Sequence, residues 1–353
     1  MKRITLLRDT MAAAILIFIP NSQASPISFT VSETAGLRRF GYPVTASLEM
    51  AQGALRDVAT ARLLNTTGKE QPAQFTAMLS WPDGSVRRLD ADFTSSIGPM
   101  EKETYRVELS GGVARPAGRG LGVTETSDEI TVASSAIAHK IRRDGKPLLT
   151  SIANGKIEFL AEGGITTTLA PGKAEVLKRG PFNVTLRLGS VTLEYVSSKS
   201  WVKIVQCAEA ATELAVDAHF TLPEPPVLWD FGVESWLYGH FRKPTDTAVL
   251  RQDARGWRVL TGAGEPASVY AAGKRCEGWG HIADKQRMVA FGVADFDAGG
   301  EPIFRLGADG RFRASARRKE LTVYFHVIGQ PVHVTALTSP PSMLAPLVVA
   351  VKR

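Results

Sequence analysis

The stretch SWPDGSVRRLDADF, Ser80 to Phe93, decides how the chain is read. Before it, Gln74 to Trp81 alternates, with Phe75, Ala77, Leu79 and Trp81 on one face, and this predicts a strand. Pro82, Asp83 and Gly84 supply a turn: Pro fixes φ, Asp tolerates turn conformations, and Gly takes positive φ. The return strand places Leu89, Ala91 and Phe93 inward and Arg88, Asp90 and Asp92 outward. Val86 is out of phase with the inward set, which predicts a bulge beside the turn. A β-hairpin by itself accounts for Trp81 and Asp83 without any function.

The pattern recurs along the chain. Asp144-Gly145 predicts a second hairpin turn, between His139-Lys140-Ile141 and Pro147-Leu148-Leu149. Val191, Leu193 and Tyr195 alternate with polar neighbours, as do Leu214, Val216, Ala218, Phe220 and Leu222. Cys207 to Ala211 has helical propensity, but the alternation that follows argues for strand. Met288 to Phe296 is apolar on both faces and reads as a central strand. Leu321, Val323, Phe325 and Val327 alternate with Thr322, Tyr324 and His326. With 32 Gly and 20 Pro in 353 residues, the fold class is all-β, and the second half reads as one large antiparallel β-sandwich.

Residues 1–24 read as a signal peptide. Lys2, Arg3 and Arg8 give a basic start, Met11 to Pro20 is a short apolar run, and Ser22-Gln23-Ala24 resembles a cleavage site. The expected localisation is periplasmic or secreted; the alternative is an uncleaved anchor. The net charge is +7, and this leader contributes two of those charges. The balance favours acidic partners. No Lys/Arg run is dense enough for nucleic acid. Cys207 and Cys276 form one disulfide or remain two buried thiols. Neither has the neighbours of a metal site, and no cofactor motif is present. Gly111 to Gly122 has no apolar period and reads as a linker between domains at 26–110 and 123–353.

The first domain carries an ordered series of motifs: Arg39-Phe40-Gly41-Tyr42-Pro43-Val44-Thr45, Gly53 to Asp57, Ala61 to Leu64, Gln71 to Gln74, and Trp81 to Val86. The series resembles the N-terminal β-barrel module of the YetA-like proteins, a family that includes exo-acting rhamnogalacturonan lyases. Gly180-Pro181, and Gly278 to Asp284 leading into Val289 to Phe296, resemble that family's central β-sandwich domain. The resemblance implies a small β-barrel module followed by the sandwich. Lyase-type members continue into an α/α toroid. No run of amphipathic helices occurs in this sequence, so the resemblance does not bring lyase activity with it.

A uronate lyase needs a cation for the substrate carboxylate, a base for the neighbouring proton and an acid for the leaving oxygen. The densest candidate stretch is Trp229 to Arg242. It offers Tyr238 or His240 as base, Arg242 as the neutralising cation, and Trp229 or Trp236 as a stacking surface. Trp279 and His281 form a second candidate group. Glu234 with Asp230 is the only carboxylate pair suggested for glycosidase chemistry. Ordinary core and loop roles account for the same residues more simply than catalytic ones do. Three functions therefore stand: a carbohydrate-binding or accessory protein whose partner is an acidic polysaccharide or oligosaccharide, a β-eliminating lyase, or an assembly partner of a separate protein chain.

Overall fold

A computed structural model describes residues 26–109, 120–134, 136–234, 237–329 and 340–352. The expected signal peptide, most of the expected linker, Trp236 and His333 lie outside these residues. Strand is the dominant secondary structure of the described chain, and its sheets are antiparallel throughout.

The spine is a ladder between two very long strands, Trp201–Phe220 and Arg311–Gly329. Its register shifts between Cys207 and Thr212, opposite Glu320 and Arg318. A shift of this kind bends both strands, and the two halves of the ladder belong to different sheets. Trp201 to Cys207 continues through Val191–Val196, Asn183–Leu188 and Ala174–Lys178. Its partner half continues through Arg287–Val293, Cys276–Ala283, Leu228–Val233 and the edge strand Leu237–His240. In the second sheet, Thr212 to Phe220 continues through Leu160–Thr167, Leu149–Asn154, Ile137–Arg142, Glu129–Ala133 and Gly122–Glu125. Its partner half continues through Ile303–Gly307, Asp246–Asp253, Gly256–Ala263 and the edge strand Ser268–Gly273.

The inward residues of both sheets form one core. Leu214, Val216, Ala218 and Phe220 are buried in it, as are Leu321, Val323, Phe325 and Val327. At its centre Phe291 packs against Phe304 at 4.9 Å and Phe312 at 4.8 Å. The strand Arg287–Val293 is buried on both faces, as its apolar sequence predicts: Val289, Phe291 and Val293 face this core, and Ala290 faces a second one.

That second core belongs to a small unit of two sheets. One orders Val348–Val351, Ile27–Ser32, Lys102–Glu108, Arg62–Leu64 and Glu70–Gln71; the other orders Arg39–Glu49, Val86–Ile97 and Ala73–Ser80. Phe29, Leu48, Leu63, Leu89 and Phe93 fill the space between them. The strand Val348–Val351 pairs with Ile27–Ser32. The last strand of the span 123–353 thus lies in the first sheet of the small unit and not in the sandwich.

The hairpin at Ser80 forms, with Gly84 at φ +80° and register shifts at Ala77/Leu79 and Leu79/Ser80. Leu89, Ala91 and Phe93 point inward as expected. Two expectations fail. Ala77 is exposed and Leu79 is 44% exposed, because Ala73–Ser80 is an edge strand whose shifts break its alternation, and Gln74 is buried instead. Asp90 and Asp92 are buried, because the outer face of their strand is covered by the sandwich.

Lys178 reaches across from the sandwich to Asp90 at 2.8 Å and to Asp92 at 3.1 Å. The Asn183 amide donates to Asp92 at 3.1 Å, and the Thr45 hydroxyl donates to it at 2.6 Å. Gln74 closes the cluster: its carbonyl accepts from the Phe182 and Asn183 amides, and its amide donates to the Asn183 carbonyl. Burial raises the Asp92 pKa more than Lys178 lowers it. Burial also opposes the charge on Lys178, but Asp92 and Asp90 outweigh it and hold the ammonium above its usual range. On the same junction, buried Arg39 donates to the carbonyls of Ser342 and Ala345.

Of the two alternatives for the cysteines, the disulfide is not formed, and only one of the two thiols is buried. Cys207 is an exposed free thiol at the register shift of the ladder, and Cys276 is a buried free thiol beside the Gly232 carbonyl.

These contacts fix three outcomes. Lys178→Met strands two buried carboxylates and should cost about 3–5 kcal/mol in denaturant unfolding, with part of the loss recovered when Asp90→Asn and Asp92→Asn are added. His139 is buried and His326 half-buried, and desolvation depresses each pKa to about 4 from 6.5; Lys199 and His281 add to the effect at His326. Both are neutral in the fold, so the stability they contribute is complete above about pH 6.5 and falls away as the pH drops toward 4. Melting midpoints measured across that range should fall, and His139→Gln should flatten the slope. A thiol reagent should label Cys207 in the folded protein and Cys276 only after unfolding; an unreduced mass two hydrogens light would show a disulfide instead.

Candidate functional site

The sandwich has an open mouth where the edge strands of its two sheets meet. Among the described residues, Leu237–His240 pairs with Leu228–Val233 alone, and Ser268–Gly273 with Gly256–Ala263 alone. The Tyr270 phenol bridges the two edges by donating to the Tyr238 carbonyl at 3.2 Å. Beside this bridge is a cleft of about 300 Å³, lined by Trp229, His240, Arg242, Asp246, Thr261 and Tyr270 among others.

Trp229 forms a buried wall of the cleft at 3% exposure, and Tyr270 stands edge-on to it at 5.5 Å. The Trp229 ring lies so close to Gly239 that an added Cβ there would come within 2.4 Å of it. A glycine is therefore required on the edge strand. Phe231 and Phe241 support the ring from the core side. The Trp229 indole N–H has no acceptor among the described residues and is not shut away from solvent. Asp246 accepts the backbone N–H groups of Arg242 at 2.8 Å and Lys243 at 2.9 Å. These bonds lower its pKa and close the loop that carries Arg242. Arg242 is exposed and forms no salt bridge among the described residues.

Three of the residues singled out from the sequence, Trp229, His240 and Arg242, thus meet in one cleft. Tyr238 is 68% exposed and does not line it. The others lie elsewhere. His281 pairs with Asp230 at 2.7 Å, and Trp279 stands edge-on to His281 at 5.7 Å while donating its N–H to Glu277. Adjacent strand residues face opposite sides of a sheet. Trp229 faces the sandwich core and the cleft, so Asp230 and its His281 partner occupy the other face. Across that face the row runs through Ala290 to His326 and Trp201.

Glu234 serves as an anchor. Its carboxylate accepts the Trp257 indole at 2.8 Å and the amides of Lys274 and Arg275 at 2.7 and 2.6 Å. These bonds, that from Lys274 foremost, lower its pKa to about 2. Asp230 and Glu234 therefore engage separate partners and do not face each other across a cleft. Trp236 lies outside the described residues.

Sequence reasoning missed Tyr270, Asp246 and Thr261. Two apolar residues in succession, Val269 and Tyr270, on a short segment flanked by Gly and Pro were the available signal for an exposed edge. Nothing local placed that edge beside Leu237–His240.

No protein-family model matches the chain, and no curated protein does. A solved structure, that of an alpha-mannosidase from Enterococcus faecalis V583, shares the fold with a TM-score of 0.54 at 11% identity. The match covers 93% of this chain and 46% of the mannosidase chain. This chain therefore spans under half the length of that protein. The likeness is one of all-β architecture.

Proposed function

We propose that this chain is a carbohydrate-binding protein, accessory to polysaccharide processing, and that the cleft at the mouth of the sandwich holds a sugar. One observation carries the reading. An exposed aromatic ring, Tyr270, stands beside a cleft whose buried Trp229 keeps an uncommitted N–H, with His240 and Arg242 on the rim. Aromatic faces pack against the C–H faces of sugars, while donors at the rim fix hydroxyls or a carboxylate. The cleft volume lies at the lower end of small-molecule sites.

Arg242 and the basic balance of the chain favour an acidic glycan. The resemblance of residues 26–110 to the YetA-like barrel module points to the same substrate class. The leader read in residues 1–24 supports export to the periplasm or beyond. The mannosidase whose fold this chain shares is a carbohydrate-acting protein by its name, and that agrees with the reading.

A second reading, a β-eliminating lyase, draws on the meeting of His240 and Arg242 in one cleft. His240 would then be the base, since Tyr238 does not line the cleft.

Calorimetric titration of the protein from Ser25 onward against acidic and neutral polysaccharides tests both readings. Selective binding is expected. Tyr270→Ala should weaken it at least about tenfold, and Arg242→Ala should weaken binding of uronate-containing glycans more than of neutral ones. Incubation with the bound glycan should yield no unsaturated product; a product lost in His240→Ala would establish the lyase instead. Absence of binding to every glycan would overturn the proposal.

A further inference from the structure

A second cavity, of about 230 Å³, lies where three parts of the chain meet. Tyr42 to Thr45 come from the small unit, Glu194, Trp201, Lys203 and Tyr324 from the sandwich, and Met343 and Leu347 from the segment leading into the last strand. The contacts of Arg39 and Tyr42 with the Ser342 carbonyl hold that segment in place. The cavity is thus built by tertiary contacts between segments and not by one loop.

Three of its lining residues are aromatic, beside aliphatic ones such as Val44, Met343 and Leu347. Trp201 stands edge-on to Tyr42 at 6.0 Å and to Tyr324 at 6.5 Å. Trp201 is 6% exposed, and its indole N–H meets no acceptor among the described residues. The Tyr324 hydroxyl also donates to none of them. The Tyr42 hydroxyl is committed to Ser342 at 2.8 Å. A polar wall completes the cavity: Lys203 pairs with Glu194 at 3.3 Å, and Glu194 also accepts from Asn183 at 3.1 Å. Two residues with uncommitted donors therefore line a space bordered by an ion pair.

Two kinds of ligand fit aromatic walls with a carboxylate nearby. One is a quaternary ammonium held in an aromatic cage. Charge argues against it. Arg39 already lies 4.7 Å from the centre of the Tyr42 ring, Lys199 lies 6.0 Å from it, and Lys203 lines the cavity. Lys203 already occupies the Glu194 carboxylate, and Arg39, itself paired with Glu33, and Lys199 already lie against the Tyr42 ring. The other is a hydroxylated ring, whose C–H faces pack on the aromatics and whose oxygens accept from Trp201, Tyr324 and Lys203. The volume is below the roughly 300–1,000 Å³ of drug-sized sites, so it suits one ring and not a chain.

We propose that this junction cavity binds a single monosaccharide-sized hydroxylated ring, which bridges the small unit and the sandwich. The site is separate from the cleft at the sandwich mouth and does not depend on it. A ring bound only when the two units are docked stabilises the docked state by mass action.

The test is calorimetric titration of the protein with glucose, galactose, mannose, galacturonate and choline, one at a time. At least one of the four sugars should bind saturably and raise the melting midpoint. Tyr324→Phe keeps its ring and Trp201→Phe keeps a smaller aromatic face; each removes one donor and should weaken binding about 3- to 10-fold. Near-ultraviolet circular dichroism checks that both variants fold. Three results would overturn the proposal: no saturable binding of any sugar, binding of choline alone, or unchanged affinity in both folded variants.

Discussion

Everything in the larger unit hangs from one backbone ladder, that between Trp201–Phe220 and Arg311–Gly329. A ladder of this length could have made one flat sheet. The register shift between Cys207 and Thr212 prevents this by bending both strands. Each strand therefore starts in one sheet and finishes in the other, and the two sheets are held face to face by covalent chain as well as by packing. The phenylalanines at the centre then fill the gap between them. The same bend leaves Cys207 outside the core.

The junction with the small unit follows a different logic. Its apolar part is modest, with Val196, Trp201, Ala290, Met343 and Leu347 joining the small unit's core. Its polar part is a buried cluster of one ammonium and two carboxylates, with every partner committed by hydrogen bonds. Burying such a cluster contributes little net stability compared with an apolar contact of the same size, but a mismatch costs a great deal. The cluster therefore tolerates one docking geometry and few others. The junction cavity can keep a defined shape because this geometry is fixed.

The mouth of the sandwich is set by where pairing stops. Two edge strands from opposite sheets end beside one another, and Tyr270 ties them through the Tyr238 carbonyl. Edges expose backbone groups and invite other chains. Here the bridge and the Trp229 wall turn that opening into a cleft. Gly239 is needed because the indole sits where a Cβ would be. The Asp246 carboxylate then organises the loop that presents Arg242.

The sequence by itself determined the strands, their inward faces and the all-β class, because alternation is a local consequence of burying one side of a sheet. It also marked Trp229, His240 and Arg242, which are close in the chain and stay close in the fold. It misassigned Asp90 and Asp92, whose outward period was correct but whose outer face is covered by Lys178 and Asn183 from a distant segment. It could not bring Tyr270 to Tyr238, separate Asp230 from Trp229 across the sheet, or return Val348–Val351 to the first strand. These are pairings between remote segments. Only the tertiary structure decided them, because alternation records which side of a strand is buried and carries no information about what buries it.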